Sequence, residues 1–283
     1  MTAYQESYLF RKNTYFIKSL CITALLGAGT AFAGPITYVH DAPSDPGNGR
    51  LGTLDVKTGE VSIIGNTGVE LTDIAVDSSG SLWGTSFTNL YQINENTATA
   101  TSVGNYSKDI NGMNALAFGN NGDLYAADAT TSNLYTLDTL DGSETSLGDM
   151  GFYSAGDLEF NANSLYLSAC DNAFFSNTQC DDSSLVNVVA NTPSDSTKIG
   201  SLGVDGMYGL ATAGNNDNLY GVAGSSVYSV STSTGAATNG VAFSGATDFV
   251  AGGQASYKVP EPNTAFLLTL GLLGLAQRKK ILS

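Results

Sequence analysis

The stretch Ala115-Leu116-Ala117-Phe118-Gly119-Asn120-Asn121-Gly122-Asp123-Leu124-Tyr125 decides the fold. A short apolar run, a polar turn and a second run opened by Leu-aromatic make a β-hairpin. Gly and Asn accept the positive φ angles that tight turns demand. The unit recurs along the chain. Its apolar run returns as Asp73-Ile74-Ala75, Asp157-Leu158-Glu159, Gly209-Leu210-Ala211 and Asp248-Phe249-Val250, with central residues 42, 42, 52 and 39 positions apart. Polar turns follow at 77–80, 161–163 and 214–217, and second strands open at Leu82-Trp83, Leu165-Tyr166 and Leu219-Tyr220.

A third strand alternates in register, as Leu90-Tyr91-Gln92-Ile93, Leu134-Tyr135-Thr136-Leu137, Leu185-Val186-Asn187-Val188 and Val227-Tyr228-Ser229-Val230. A fourth ends in apolar-Gly, at Val103-Gly104, Leu147-Gly148 and Ile199-Gly200. Four short antiparallel strands per unit of about 40 residues mark a β-propeller blade. The ends of the repeat region are complementary. Tyr38-Val39-His40-Asp41, Leu51-Gly52-Thr53-Leu54 and Val61-Ser62-Ile63-Ile64-Gly65 supply second, third and fourth strands, while the run at Asp248 supplies only a first. Joined, they complete a fifth blade and remove the free sheet edges that invite aggregation. The expectation is an all-β, five-bladed propeller over residues 34–257, closed by its N- and C-terminal strands. It resembles generic bacterial propellers with a D-x-x-G-x-L-Y turn, a likeness of fold that carries no activity.

The two termini read as addresses. Arg11, Lys12 and Lys18 precede an apolar stretch at 20–28, and Ala31-Phe32-Ala33 gives a small-x-small cleavage site. These parts make a Sec signal peptide over residues 1–33, which would carry Cys21 away with it; the alternative is an uncleaved anchor. At the other end Val259-Pro260-Glu261-Pro262 leads into an apolar run at 264–276, followed by Arg278, Lys279 and Lys280. Thirteen residues span about 20 Å as a helix, short of the roughly 20 residues of a comfortable transmembrane span. The ordered trio of Pro-Glu-Pro, Leu/Gly-rich helix and basic terminus over 258–283 resembles the PEP-CTERM sorting signal of Gram-negative bacteria. The resemblance implies handling by an exosortase, a transient inner-membrane tether, release to the cell surface or extracellular matrix, and a host that makes exopolysaccharide.

Charge narrows the partners. The chain holds 26 acidic residues against 11 Lys and Arg, and between the terminal segments only Arg50, Lys57, Lys108 and Lys198 are basic. So acidic a surface repels nucleic acid and anionic lipid, and favours cations or neutral glycans.

Candidate chemistry is sparse. Ala75, Ala117 and Ala211 suit a first strand crowded around the propeller axis. Glu159 stands where those siblings are small. A carboxylate there must be paired, cation-bound, protonated or at a tunnel mouth; alternatively, a register slip at its shortened turn sends it to solvent. Asp73, Asp157 and Asp248 open three of the five first strands. Converging, they would suit Ca²⁺; otherwise each caps its own strand through backbone N–H groups. No other cofactor is expected. His40 is the sole histidine, too few for a His-rich metal site, and no G-x-S-x-G or H-E-x-x-H motif occurs. Cys170 and Cys180 are expected to pair in an oxidising compartment and pin a loop that carries Asp171, Phe174, Phe175, Asp181 and Asp182.

These features favour a non-enzymatic binding or structural module at the cell surface. The competing reading is a glycan-active hydrolase or lyase using Asp73, Asp157, Glu159 and Asp248. It requires two carboxyls about 5–10 Å apart in an open pocket.

Overall fold

The computed structural model describes residues 36–41, 49–170, 172–173, 183–213, 218–246 and 248–257. The expected signal peptide, the apolar C-terminal helix, the turn at 214–217 and most of the Cys170–Cys180 loop lie outside the described residues. Twenty strands form five four-stranded antiparallel sheets. The first blade takes β1 (Ile36–Asp41), β2 (Arg50–Leu54) and β3 (Val61–Asn66). The second holds β4 (Asp73–Val76), β5 (Leu82–Thr85), β6 (Asn89–Ile93) and β7 (Ala100–Asn105). The third holds β8 (Met113–Phe118), β9 (Leu124–Asp128), β10 (Asn133–Leu137) and β11 (Glu144–Asp149). The fourth holds β12 (Tyr153–Asn161), β13 (Ser164–Cys170), β14 (Ser184–Val188) and β15 (Thr197–Ser201). The fifth holds β16 (Met207–Ala213), β17 (Asn218–Ala223), β18 (Ser226–Val230) and β19 (Ala237–Ala242). The last strand, β20 (Ala251–Tyr257), returns to pair antiparallel with β1 and completes the first blade. The innermost strands β4, β8, β12, β16 and β20 touch one another in a closed ring.

The five-bladed ring is as expected, with one correction. The closing strand is not Asp248-Phe249-Val250 but the run after it, with Gly253-Gln254-Ala255 in the repeat register. Ala255 faces Tyr38 as Ala75 faces Trp83, Ala117 faces Tyr125 and Ala211 faces Tyr220. Phe249 is an apolar plug that imitates the strand in sequence. It is fully buried among Val39, Leu54, Val222 and Val227, with the Phe243 ring tilted against it at 6.1 Å.

The core is divided among the seams. Five apolar clusters each bridge two neighbouring blades, such as Leu116 and Leu124 with Leu90 and Trp83, or Leu158 and Leu165 with Leu134 and Ala115. Each buried Leu contributes about 1.5–3 kcal/mol, so stability resides in blade-to-blade contact. The apolar-Gly motif serves that contact. In the fourth strands Ile64, Val103, Leu147 and Ile199 bulge out of register, and the Gly after each resumes the pairing. At Gly104 a side chain would collide with the Asp141 carbonyl of the next blade, and at Gly200 with that of Thr234.

Candidate functional site

Small residues at the third position of four of the five inner strands leave room at one mouth of the axis. Ala75, Ala117 and Ala255 line an open pocket of about 340 Å³ together with Thr212, Phe160 and Glu159. Among the described residues, Glu159 is the only ionisable side chain in that lining. No register slip occurs at its turn. Glu159 faces Tyr166, the same pairing its siblings make, because the shorter turn is absorbed by Ala162 in the left-handed region at φ 53°. The carboxylate is fixed from the next blade, where Thr212 N–H donates to Oε1 at 2.7 Å.

The floor beneath the pocket is sealed. Asp73 and Asp157 are fully buried. Each reaches past its own blade: Leu116 N–H donates to Asp73 Oδ2 at 2.6 Å, and Leu210 N–H to Asp157 Oδ2 at 2.5 Å. An inner strand has one edge without a neighbouring strand, and these carboxyls satisfy one donor on it. The expected local cap thus acts across blades. The two carboxyls are near enough to act on each other's charge. Burial, first of all, raises both well above the ordinary carboxylate range, and for Asp157 the Asp73 charge adds to it. His40 is buried beside them, its affinity for a proton lowered by burial to a pKa of about 4. Gly253 takes the Asp position in this blade because His40 Nε2 and Asp73 Oδ1 occupy the space a Cβ would need, each 2.6 Å from it.

Asp248 does not join this group. It is an exposed partner of Arg50, whose Nη1 donates to its carboxylate at 3.1 Å. Arg50 also donates from Nε and from its backbone N–H to the buried Asp41, at 2.7 and 2.6 Å, and lies 5.3 Å from the centre of the Phe249 ring. Nothing in the sequence pattern singled out Arg50 or Asp41, because their partners are remote or lie across a turn. Among the described residues no group of three His, Cys, Asp or Glu side chains is placed to hold a metal ion. Cys170 is buried and disulfide-bonded, while Cys180 lies outside the described residues. So do Ala31 and Ala33, and Val259, Pro260, Glu261, Pro262, Arg278, Lys279 and Lys280.

Asn120 and Asn163 escaped notice as more than turn formers. Asn120 Nδ2 donates to Ala162 O at 3.2 Å and Asn163 Oδ1 at 3.3 Å, tying the third and fourth blades together at the pocket rim.

The architecture is shared with one solved structure at a TM-score above 0.5. A chain of the nidogen/laminin complex aligns with a TM-score of 0.53 at 10% identity, covering 79% of this chain and 98% of its own. Virginiamycin B lyase from Staphylococcus aureus aligns at 0.40 and 16% identity, covering 81% and 71%. A Bacteroides thetaiotaomicron protein of unknown function aligns at 0.46 and 13%, covering 72% and 57%. No curated protein matches the chain. Residues 258–280 match the PEP-CTERM protein-sorting motif, which implies export and processing by an exosortase. The chain is therefore a five-bladed β-propeller protein carrying a PEP-CTERM sorting signal.

Proposed function

We propose that this is a surface-displayed binding module, released from its tail by an exosortase in an exopolysaccharide-producing bacterium, with the axial pocket over Glu159 as its ligand seat. The observation that carries the reading is an open pocket that holds, among the described residues, a single fixed carboxylate above a closed floor. Pockets of a few hundred Å³ with few, well-placed polar groups suit small ligands or the end of a larger one. The hydrolase reading is weaker, because the carboxyls that would partner Glu159 are buried in the floor or, for Asp248, bound to Arg50.

The test is thermal unfolding of the full-length protein with Ca²⁺, with EDTA and with neutral oligosaccharides. A ligand that raises the melting temperature of wild type but not of Glu159→Ala supports the reading. Unchanged melting with every addition would leave a purely structural protein. Surface display is tested separately, by following tail removal in cells with and without exosortase.

A further inference from the structure

The axial pocket does not end at its rim. A second depression, of about 500 Å³, runs outward over the seam between the third and fourth blades and shares Asn120, Phe160 and Asn163 with the first. It passes Tyr125 and reaches Asn187 and Asn191. We infer that the two depressions form one extended site for a linear, neutral oligosaccharide, entered at the axis and leaving between these blades; this rests on the axial pocket being the ligand seat.

Three observations carry it. First, among the described residues the outer depression is lined by five asparagines and by no charged side chain. Amides both donate and accept, which is what sugar hydroxyls require, and no cation is present to select a carboxylate or phosphate. Second, much of that capacity is unspent. Asn187 and Asn191 make no side-chain hydrogen bond among the described residues, and Asn120 Oδ1 and Asn163 Nδ2 likewise have no partner there. Third, the seam holds an apolar surface beside the amides. Tyr125 and the half-buried Phe160 meet edge to face at 5.4 Å between ring centres, and Phe160 lines both depressions. Aromatic surface flanked by convergent polar groups is the usual make-up of a small-molecule site. The cross-blade bonds of Asn120 hold the wall in place before a ligand arrives, which lowers the ordering cost of binding.

The experiment is calorimetric titration of the full-length protein with linear gluco-, manno- and xylo-oligosaccharides of one to six units. Wild type is compared with Asn187→Ala/Asn191→Ala at the outer end and Glu159→Gln at the inner end. Affinity should rise with chain length. The outer double variant should lose about 10-fold for the hexamer, as two modest hydrogen bonds would give, while leaving the disaccharide unchanged. Glu159→Gln should weaken all lengths. Binding that ignores chain length and the outer variant would overturn the extended site and leave the axial pocket standing. Absence of binding to every sugar would overturn both for neutral glycans, and tighter binding of an anionic uronate chain would overturn the ligand class. Melting temperatures of the variants, expected to match wild type, separate loss of binding from loss of fold.

Discussion

Asp73 and Asp157, on the inner strands of the second and fourth blades, lie within electrostatic reach of each other in the buried floor of the propeller. One oxygen of each holds the backbone of the third and fifth blades respectively. Four of five blades are thus tied by two side chains, in a layer that water does not reach.

This layer makes stability depend on pH in opposite senses. The carboxyl pair has a folded pKa raised above that of the unfolded chain, so its contribution is complete at low pH and is lost as pH climbs through the raised range. His40 is depressed from 6.5 to about 4, so the fold resists its protonation and stability falls as pH drops from 6.5 towards 4. That shift corresponds to about 3 kcal/mol. Denaturant unfolding across pH should show both limbs. His40→Gln should flatten the acid limb whatever its effect on absolute stability; an unchanged acid slope would refute the assignment.

Substitution within the pair should discriminate polarity from charge. Asp157→Asn keeps an acceptor for Leu210 N–H and offers Asp73 a permanent donor. It should unfold close to wild type at low pH and lose less stability than wild type as pH climbs through the raised range. Asp157→Ala strands the buried Leu210 donor and opens a void beside Asp73, at a cost of about 2–4 kcal/mol. Chemical denaturation of both variants reads the difference.

The floor explains what the sequence could and could not show. Alternating strands and Gly/Asn turns disclosed the blades, because side-chain period and turn chemistry are local. The closing strand was hidden because Gln254 replaces the usual Ile or Leu and Gly253 stands where the second and fourth blades carry Asp, while Phe249 offers a better match upstream. Both departures have tertiary causes. Gly253 yields to His40 and Asp73, and Gln254 is buried with its amide donating to Tyr220 O at 2.8 Å in the fifth blade. The Glu159 anomaly was legible as a break in a small-residue column. Its holder, Thr212, was not, since the bond crosses from one blade to the next.

Arg50 separates two carboxylates that sequence would treat alike. Asp248 is exposed and screened, so Asp248→Asn should leave the melting temperature unchanged. Asp41 is buried and accepts from the Arg50 backbone and guanidinium, so Asp41→Ala should cost about 2–3 kcal/mol. Equal effects of the two variants would mean that the guanidinium is anchored by neither.

The blade seams give the sharpest test of the fold, because a single Cβ decides it. Gly104 follows the bulge at Val103, and its Cα lies against the Asp141 backbone of the third blade, where a flexible side chain could give way but a carbonyl cannot. Gly104→Ala must push the second and third blades apart or abandon the bulge. Either response disturbs the cluster of Leu90, Trp83, Leu116 and Leu124 at that seam. Overpacking of this kind costs about 1–3 kcal/mol. Gly122 provides the control. It sits at φ 87° with no atom near its would-be Cβ, so Gly122→Asn tests backbone strain alone and should cost under about 1 kcal/mol. Urea unfolding of the two variants should therefore rank Gly104→Ala well below Gly122→Asn; the reverse order would show that the seams yield more readily than the turns.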